Sequence, residues 1–269
     1  MSPSSPPPLK RFGQHFLIDQ NIVRKIVELA AIEPHETVLE IGPGRGILTQ
    51  PLCDKTRKVI AIEIDRQLAK MLITACPNLD LRIGDALEFE YGTLPQGTVV
   101  VANLPYYVST PLLFKLLDAS PKIDRLVLMM QMEVAQRLAA KPGTKEYGVL
   151  SVLTQYKAEV TVAFRVSPHC FRPRPTVGSA VVHLLTRTAR SLDHTHERRF
   201  AALTRAAFAH RRKTVVNSLR DEGYAMDAVT AALGKCNIAP DRRAESLSLE
   251  DYLALAAALD NEAYPESLG

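Results

Sequence analysis

The chain has 269 residues, a length that suggests one large domain or two unequal ones. Of these residues 46% are hydrophobic and 23% are charged, and the formal net charge is +4 at pH 7, which is typical of a soluble globular protein. No apolar run approaches the roughly 18–20 residues that a transmembrane helix needs. The four cysteines are scattered and form no C-x-x-C pair, which argues against a zinc site or a disulfide framework and fits a reducing cytoplasm.

The N-terminal residues 1–8 are rich in serine and proline and have no charged segment followed by an apolar core. They are predicted to form a disordered leader rather than a signal peptide. The basic and aromatic stretch K-R-F-G-Q-H-F-L, at 10–17, opens the ordered part. A helix is predicted over 19–31, because apolar residues recur there at helical spacing after Asp19, a plausible N-cap.

The stretch L-E-I-G-P-G-R-G-I, at 39–47, is the most informative part of the chain. An apolar run leads directly into Gly42, Gly44 and Gly46, and an amphipathic stretch follows, which is typical of a strand, a tight turn and a helix. Glycine lets a ligand approach the main chain closely, and the start of a helix presents free N–H groups. The loop is therefore predicted to cradle a nucleotide.

The spacing of the glycines indicates which nucleotide. The dinucleotide fingerprint G-x-G-x-x-G would place a glycine at Ile47, so this loop is one residue tighter. Glu63 ends the next apolar run, about 20 residues on, where an acidic side chain suits a ribose diol. Asp85 follows the third apolar stretch. This pattern, with acidic residues at the ends of successive strands and a tighter glycine turn, resembles that of S-adenosylmethionine-dependent methyltransferases.

Strands and helices alternate through most of the chain. Strands are predicted over 37–41, 58–63, 79–84, 98–103, 125–130, 159–165 and 178–186. Helices are predicted between them over 47–55, 66–75, 109–118, 131–140 and 148–156. This alternation favours an α/β fold with a parallel, doubly wound sheet. The last two strands are expected to form a hairpin-like pair, which makes a seven-stranded sheet.

A shift to polar composition over 188–197 predicts a domain boundary. Residues 9–188 are therefore expected to form the nucleotide-binding domain, and residues 189–269 a small all-α domain. Its helices are predicted near 197–220, 226–234 and 248–260. The first of these is strongly basic, and Arg211, Arg212 and Lys213 are candidates for contact with RNA phosphates. A merely solvated charged face is the alternative.

The tetrapeptide Asn103-Leu104-Pro105-Tyr106 follows the fourth predicted strand, at the sheet edge where α/β proteins bind ligands. The exocyclic amine of adenine is a poor nucleophile because its lone pair is delocalised into the ring. An asparagine oxygen and a nearby backbone carbonyl can each accept one of its N–H bonds and turn the lone pair toward a methyl donor. Pro105 would direct the Leu104 carbonyl into the pocket, and Tyr106 would offer a flat face. A strand-ending turn without chemistry is the alternative.

Three of these stretches together closely resemble the ribosomal RNA adenine N6,N6-dimethyltransferases: K-R-F-G-Q-H-F-L, E-I-G-P-G-R-G and N-L-P-Y. The resemblance spans roughly residues 9–259. Three further stretches resemble the small-subunit branch in particular: Y-G-V-L-S-V at 147–152, F-R-P-R-P-T-V-G-S at 171–179 and A-F-A-H-R-R-K-T at 207–214. The last of them best separates that branch from the macrolide-resistance methylases.

The resemblance implies a Rossmann-like class I methyltransferase fold, S-adenosyl-L-methionine as the cofactor, and no metal. It implies cofactor-binding roles for seven residues: His15, Leu17, Gly42, Gly44, Glu63, Asp85 and Asn103. Gly42 and Gly44 would lie under the methionine part, Glu63 on the ribose hydroxyls and Asp85 on the adenine amine. The family often has asparagine at the position of His15.

The resemblance also implies how the target adenine is held. Residues Asn103 to Tyr106 would bind its edge and one face, and Phe171 would stack on the other face. Phe171 lies in a loop with three prolines, where an exposed, functional aromatic side chain is expected.

The function implied is dimethylation of N6 of two adjacent adenosines in a hairpin loop near the 3′ end of small-subunit (16S) ribosomal RNA. The partner would be this RNA or an assembling small ribosomal subunit, and the protein is expected to act as a monomer away from membranes. One alternative is a methylase of large-subunit RNA of the macrolide-resistance type. A second alternative is a non-catalytic protein that binds ribosomal RNA as an assembly or transcription factor.

Overall fold

The computed structural model describes residues 14–73, 76–120, 122–187 and 192–259. The leader predicted over 1–8 lies outside these residues. The chain divides into two compact units, of which the first runs to Ala135 and resumes at Ala158. The second unit takes Gln136–Lys157 and the C-terminal part of the chain. Within the four described ranges, no helix has the length and apolar composition needed to cross a bilayer.

The first unit is built on strands. They are β1 (Phe16–Leu17), β2 (Thr37–Ile41), β3 (Lys58–Glu63), β4 (Leu79–Ile83), β5 (Thr98–Asn103), β6 (Ile123–Gln131), β7 (Ala158–Val166), β8 (Phe171–Arg172) and β9 (Ser179–Thr186). Seven of them form one sheet in the order β4-β3-β2-β5-β6-β9-β7, and β1 pairs with β8. Strands β2 to β6 run parallel, while β9 is antiparallel to β6 and β7. The predicted seven-stranded sheet with a late antiparallel pair is confirmed.

Helices connect these strands. They are α1 (Gln20–Leu29), α2 (Thr49–Cys53), α3 (Arg66–Leu72), α4 (Ser109–Asp118) and α5 (Met132–Leu138). The predicted N-cap Asp19 is confirmed, because its Oδ1 accepts hydrogen bonds from the backbone N–H groups of Asn21 and Ile22, at 2.8 and 3.3 Å. An aspartate at this position satisfies N–H groups that have no partner within the helix.

The strand order places the ligand site. The chain goes from β2 outward through β3 to β4 and then returns to β5 on the other side of β2. The loops after β2 and β5 therefore leave the sheet in opposite directions, and a crevice opens between them at the carboxyl ends of the strands. The glycine loop follows β2, and Asn103 ends β5.

The second unit is helical, with α6 (Val149–Lys157), α7 (His194–Phe208), α8 (Val215–Asp221), α9 (Met226–Lys235) and α10 (Leu249–Ala258). Aromatic rings pack against one another here: the buried Tyr156 and Phe200 have centroids 5.0 Å apart, and the half-buried Phe208 stacks on the buried Tyr252 at 5.9 Å. The domain boundary predicted near 188 stays a prediction. The structure groups Gln136–Lys157, which the sequence analysis placed in the first domain, with the C-terminal helices.

The single basic helix predicted over 197–220 is wrong, because the structure has two helices there, α7 and α8. A turn follows α7, in which the Lys213 N–H donates to the His210 carbonyl at 2.9 Å. Thr214 then caps α8 by accepting from the Asn217 N–H at 3.4 Å. A threonine side chain competes with the backbone for such bonds and favours a helix start over a helix interior.

Candidate functional site

A cleft of about 1030 Å³, including its open mouth, lies in the first unit. Its walls are the glycine loop, the ends of β3 and β5, and the segment around β1. The cleft brings together the residues predicted for the cofactor and for the target base, with one exception: His15, Leu17, Gly42, Gly44, Glu63, Asp85, Asn103, Leu104, Pro105 and Tyr106 line it. The exception is Phe171, and the chemical roles of the others stay predictions.

The glycine loop needs its glycines for conformational reasons. Gly42 and Gly44 have φ angles of +66° and +58°, in the left-handed region that side chains disfavour. A Cβ on Gly44 would also lie 3.2 Å from the ring of Phe16. At Gly42, where a Cβ would meet no atom within 4 Å, the loop leaves open space beside the main chain, as a cradle for a nucleotide requires.

Glu63 ties the glycine loop to the end of β3. Its carboxylate accepts one hydrogen bond from the Gly44 N–H and one from the Asp65 N–H, both at 2.9 Å. Burial raises the pKa of Glu63 above its usual value, and the two N–H donors counter part of that effect. The side chain thus serves the shape of the loop as well as presenting oxygen atoms to the cleft.

Glu40 is a lining residue to which the sequence analysis assigned no role. It is 1% exposed, and burial raises its pKa to about 8. Its Oε2 is buried and has no hydrogen-bond partner among the described residues. The available signal was an acidic residue inside the otherwise apolar run of β2, two positions before the first glycine.

We expect Glu40→Gln to stabilise the protein at alkaline pH. The folded protein holds the Glu40 proton up to about pH 8, whereas the unfolded chain releases it near pH 4.3. Wild-type stability should therefore fall as the pH rises between these two values. Because an amide does not ionise, the variant should gain about 2–4 kcal/mol over wild type at pH 9 and much less at pH 4.

Urea unfolding at both pH values measures this difference, with the exposed Glu28→Gln as the control. A Glu40→Gln effect that is the same at pH 4 and pH 9 would contradict the assignment of a neutral, buried carboxyl group.

The first two residues of the tetrapeptide at the end of β5 are held by hydrogen bonds. The Asn103 Nδ2 donates to the main-chain carbonyl of His15 at 3.1 Å. The Leu104 N–H donates to the Met129 carbonyl at 3.0 Å, which continues the pairing of β5 with β6. Because its nitrogen is used in this way, the Asn103 amide keeps Oδ1 as its acceptor.

Tyr106 is fixed by its hydroxyl and by one ring face. The hydroxyl and the Ser179 Oγ are 2.7 Å apart, and burial raises the pKa of this tyrosine. The ring of His15 stacks on it, with centroids 5.6 Å apart and planes at 29°. The neighbouring Tyr107 also lines the cleft and is 57% exposed, another residue that the sequence analysis did not assign.

The exposed aromatic side chain predicted at Phe171 is wrong. Phe171 is 0% exposed, because β8 pairs with β1 in the register that places it opposite Leu17. Its ring belongs to a hydrophobic cluster that includes Val23 and Val27 of α1. The prolines around Phe171 indicated a surface loop. The pairing of β8 with the distant β1 buries Phe171 instead, so this structure gives its ring no open face for a base.

The predicted RNA-binding residues Arg211, Arg212 and Lys213 lie in the turn between α7 and α8 of the second unit, and all three are exposed. Arg211 donates to the Lys145 carbonyl at 3.3 Å, and Lys213 pairs with Asp221. Such exposed pairs are weak and compete poorly with a polyanion. Among the described residues, no cluster of three metal-ligating side chains is present.

Comparisons with known proteins agree with this geometry. The sequence profile of the family described as ribosomal RNA adenine dimethylase matches residues 9–261. The ribosomal RNA small subunit methyltransferase A of Moorella thermoacetica is 42% identical, over 94% of this chain and 93% of the relative. The protein of the same name from Chlamydia caviae is 43% identical, over 98% of this chain and 100% of the relative.

Two solved structures share the fold over most of their length. A dimethyladenosine transferase from Plasmodium falciparum has a TM-score of 0.78 and 29% identity, over 90% of this chain and 96% of that one. The 23S rRNA methyltransferase ErmE has a TM-score of 0.73 and 28% identity, over 91% of this chain and 100% of that one.

Proposed function

This chain belongs to the ribosomal RNA adenine dimethylase family, and from that premise we propose that it dimethylates N6 of two adjacent adenosines in a hairpin loop near the 3′ end of small-subunit (16S) ribosomal RNA. The observation that carries the chemistry is the bond from the Asn103 Nδ2 to the His15 carbonyl. It commits the amide nitrogen to the protein and keeps the amide oxygen for a substrate N–H. The names of the curated relatives support the choice of the small subunit.

The donor is S-adenosyl-L-methionine, which supplies an electrophilic methyl group on a sulfonium. The cleft residues fit it. Gly42 leaves open space beside the main chain, Gly44 has a positive φ angle that side chains disfavour, and Glu63 offers carboxylate oxygens to a ribose diol. Asp85 lies at the same edge of the sheet and can accept from an adenine amine. Glu40 brings a buried oxygen without a partner among the described residues, as a polar ligand group would require.

The residues after β5 orient the acceptor. The Asn103 Oδ1 and the Leu104 carbonyl would each accept one N–H of the target amine, which rotates its lone pair out of conjugation and toward the methyl group. No strong base is needed, because the alkylated nitrogen is acidic and loses its proton easily. Catalysis would then come from positioning, whose contribution can be very large. Tyr106, held by Ser179, would support the base.

The same geometry accounts for a second transfer. N6-methyladenosine retains one N–H, so one of the two acceptors is enough to hold it. After the second transfer no N–H remains for either acceptor, and the reaction ends at the dimethylated base. Two adjacent adenosines would therefore require four methyl transfers.

The second unit would contribute RNA affinity. Arg211, Arg212 and Lys213 are exposed cations, and we propose that they contact phosphates near the loop that carries the target. An adenosine in a loop is poorly stacked, so extruding it costs little. We expect the protein to act as a monomer in the cytoplasm, where small ribosomal subunits assemble.

The experiment is methyl transfer from labelled cofactor to two substrates, unmethylated small ribosomal subunits and large-subunit ribosomal RNA. We expect N6,N6-dimethyladenosine in the small-subunit RNA, identified by mass spectrometry after nuclease digestion. ErmE, whose structure this chain resembles, makes large-subunit methylation the second candidate. Labelling confined to large-subunit RNA would select that candidate, and RNA binding without labelling would indicate a non-catalytic protein.

A further inference from the structure

The segment Gln14–Leu17 crosses the cleft and contacts both of its sides. Toward the glycine loop, the Gln14 Nε2 donates to Asp65 at 3.3 Å, and the Arg45 guanidinium lies 4.4 Å from the centroid of the Phe16 ring. In an extended segment, successive side chains point to opposite sides. His15, between these two residues, is directed instead toward the residues proposed to hold the base.

His15 makes three contacts there. Its main-chain carbonyl accepts from the Asn103 Nδ2 at 3.1 Å. Its ring stacks on Tyr106. Its Nδ1 lies 2.8 Å from the Pro173 carbonyl oxygen. Because a carbonyl only accepts, Nδ1 must carry the hydrogen and donate it. The bond to Pro173 and the stack on Tyr106 thus hold the ring at two points, and they anchor the residue whose main-chain carbonyl holds Asn103.

The orientation of the Asn103 amide decides whether the site works. With Nδ2 on the His15 carbonyl, Oδ1 is the acceptor for the substrate amine. If the amide turned over, Nδ2 would meet the N–H of the target amine, and two donors would face each other. A carbonyl held in a constant place prevents that exchange, since the carbonyl oxygen and the Asn103 Oδ1 are both acceptors and cannot hydrogen-bond to each other.

We propose that His15 is a positioning residue for the target adenine, which acts through Asn103 and Tyr106. This inference rests on the proposed function, and it gives His15 a part beyond the cofactor contact that the family resemblance implies. Removing the side chain leaves the peptide carbonyl in the chain but releases its two anchors, the stack and the Pro173 bond. The cost should fall on the orientation of the reacting amine.

The test compares three variants of the full chain on unmethylated small ribosomal subunits. We expect His15→Ala to lower kcat roughly tenfold or more, because small misplacements of reacting groups are costly, with KM for the RNA within about threefold of wild type. His15→Phe retains the stack and His15→Asn offers a short amide donor, so both should recover part of kcat. The exposed His35→Ala is the matched control and should turn over as wild type does.

Two further readouts separate positioning from folding and from cofactor binding. Calorimetry with S-adenosylhomocysteine measures the cofactor contact of His15 separately, and any loss of cofactor affinity in the His15 variants should be much smaller than their loss of kcat. RNA with 2-aminopurine at the target position should show brighter fluorescence with His15→Ala than with wild type, because a loosened Tyr106 quenches a stacked base less.

The inference fails if His15→Ala retains wild-type kcat, or if cofactor affinity falls as far as kcat does. If His15→Ala does not fold, the kcat values of His15→Phe and His15→Asn decide. Values below wild type in both would support the proposal, and values equal to wild type in both would overturn it. The wild-type protein is assayed first. If it methylates neither small ribosomal subunits nor large-subunit RNA, the proposed function is refuted instead.

Discussion

Replacing Asn103 by alanine should lower methyl transfer at least roughly 100-fold, while the affinity for RNA stays within about threefold of wild type. The alanine variant loses the oxygen proposed to accept from the target amine, so the lone pair stays conjugated with the ring and points away from the methyl group. Asn103 contributes little surface to RNA binding, because it lies at the end of β5 inside the cleft.

The measurement is single-turnover methylation of unmethylated small ribosomal subunits, together with filter binding of the same particles. The exposed Asn21→Ala, on α1, is the matched control for asparagine loss. Near-normal turnover by Asn103→Ala would show that the amide does not orient the acceptor. A parallel loss of RNA affinity would place Asn103 in RNA binding rather than in the transfer step.

Replacing Glu63 should weaken cofactor binding far more than RNA binding. Its carboxylate accepts from the Gly44 and Asp65 N–H groups and is proposed to hold the ribose. Hydrogen bonds to a charged group contribute about 1.5–3 kcal/mol each, so we expect Glu63→Ala to reduce the affinity for S-adenosylhomocysteine roughly 10- to 100-fold. Calorimetry measures this affinity, with the exposed Glu33→Ala as the control.

The pH dependence gives the same residue a second test. Burial raises the pKa of Glu63 above its usual value, so the carboxylate is protonated at a higher pH than an exposed glutamate would be. A protonated carboxyl accepts less well, and wild-type cofactor affinity should fall as the pH decreases through that raised pKa. Glu63→Gln should bind weakly at every pH and lose this dependence. Wild-type cofactor affinity in Glu63→Ala or Glu63→Gln would show that Glu63 does not bind the cofactor.

Several local features followed from the sequence because local physics determines them. Apolar runs of strand length predicted the seven strands, and the oxygen of Asp19 before an amphipathic segment predicted the start of α1. The tight glycine spacing, Glu63 at the end of β3 and Asp85 after β4 indicated a methyltransferase, and the family match confirms that class of enzyme. Each of these signals lies within a few residues, where backbone conformation and side-chain type are directly coupled.

The tertiary structure decided what depends on contacts between distant residues. Burial of Phe171 comes from its pairing with Leu17, more than 150 positions away, and no local pattern encodes that pairing. The raised pKa of Glu40 comes from desolvation by the packed sheet, which its sequence neighbours do not determine. The bond from Asn103 to the His15 carbonyl involves a backbone atom that every residue has, so only the folded chain could reveal which carbonyl holds that amide.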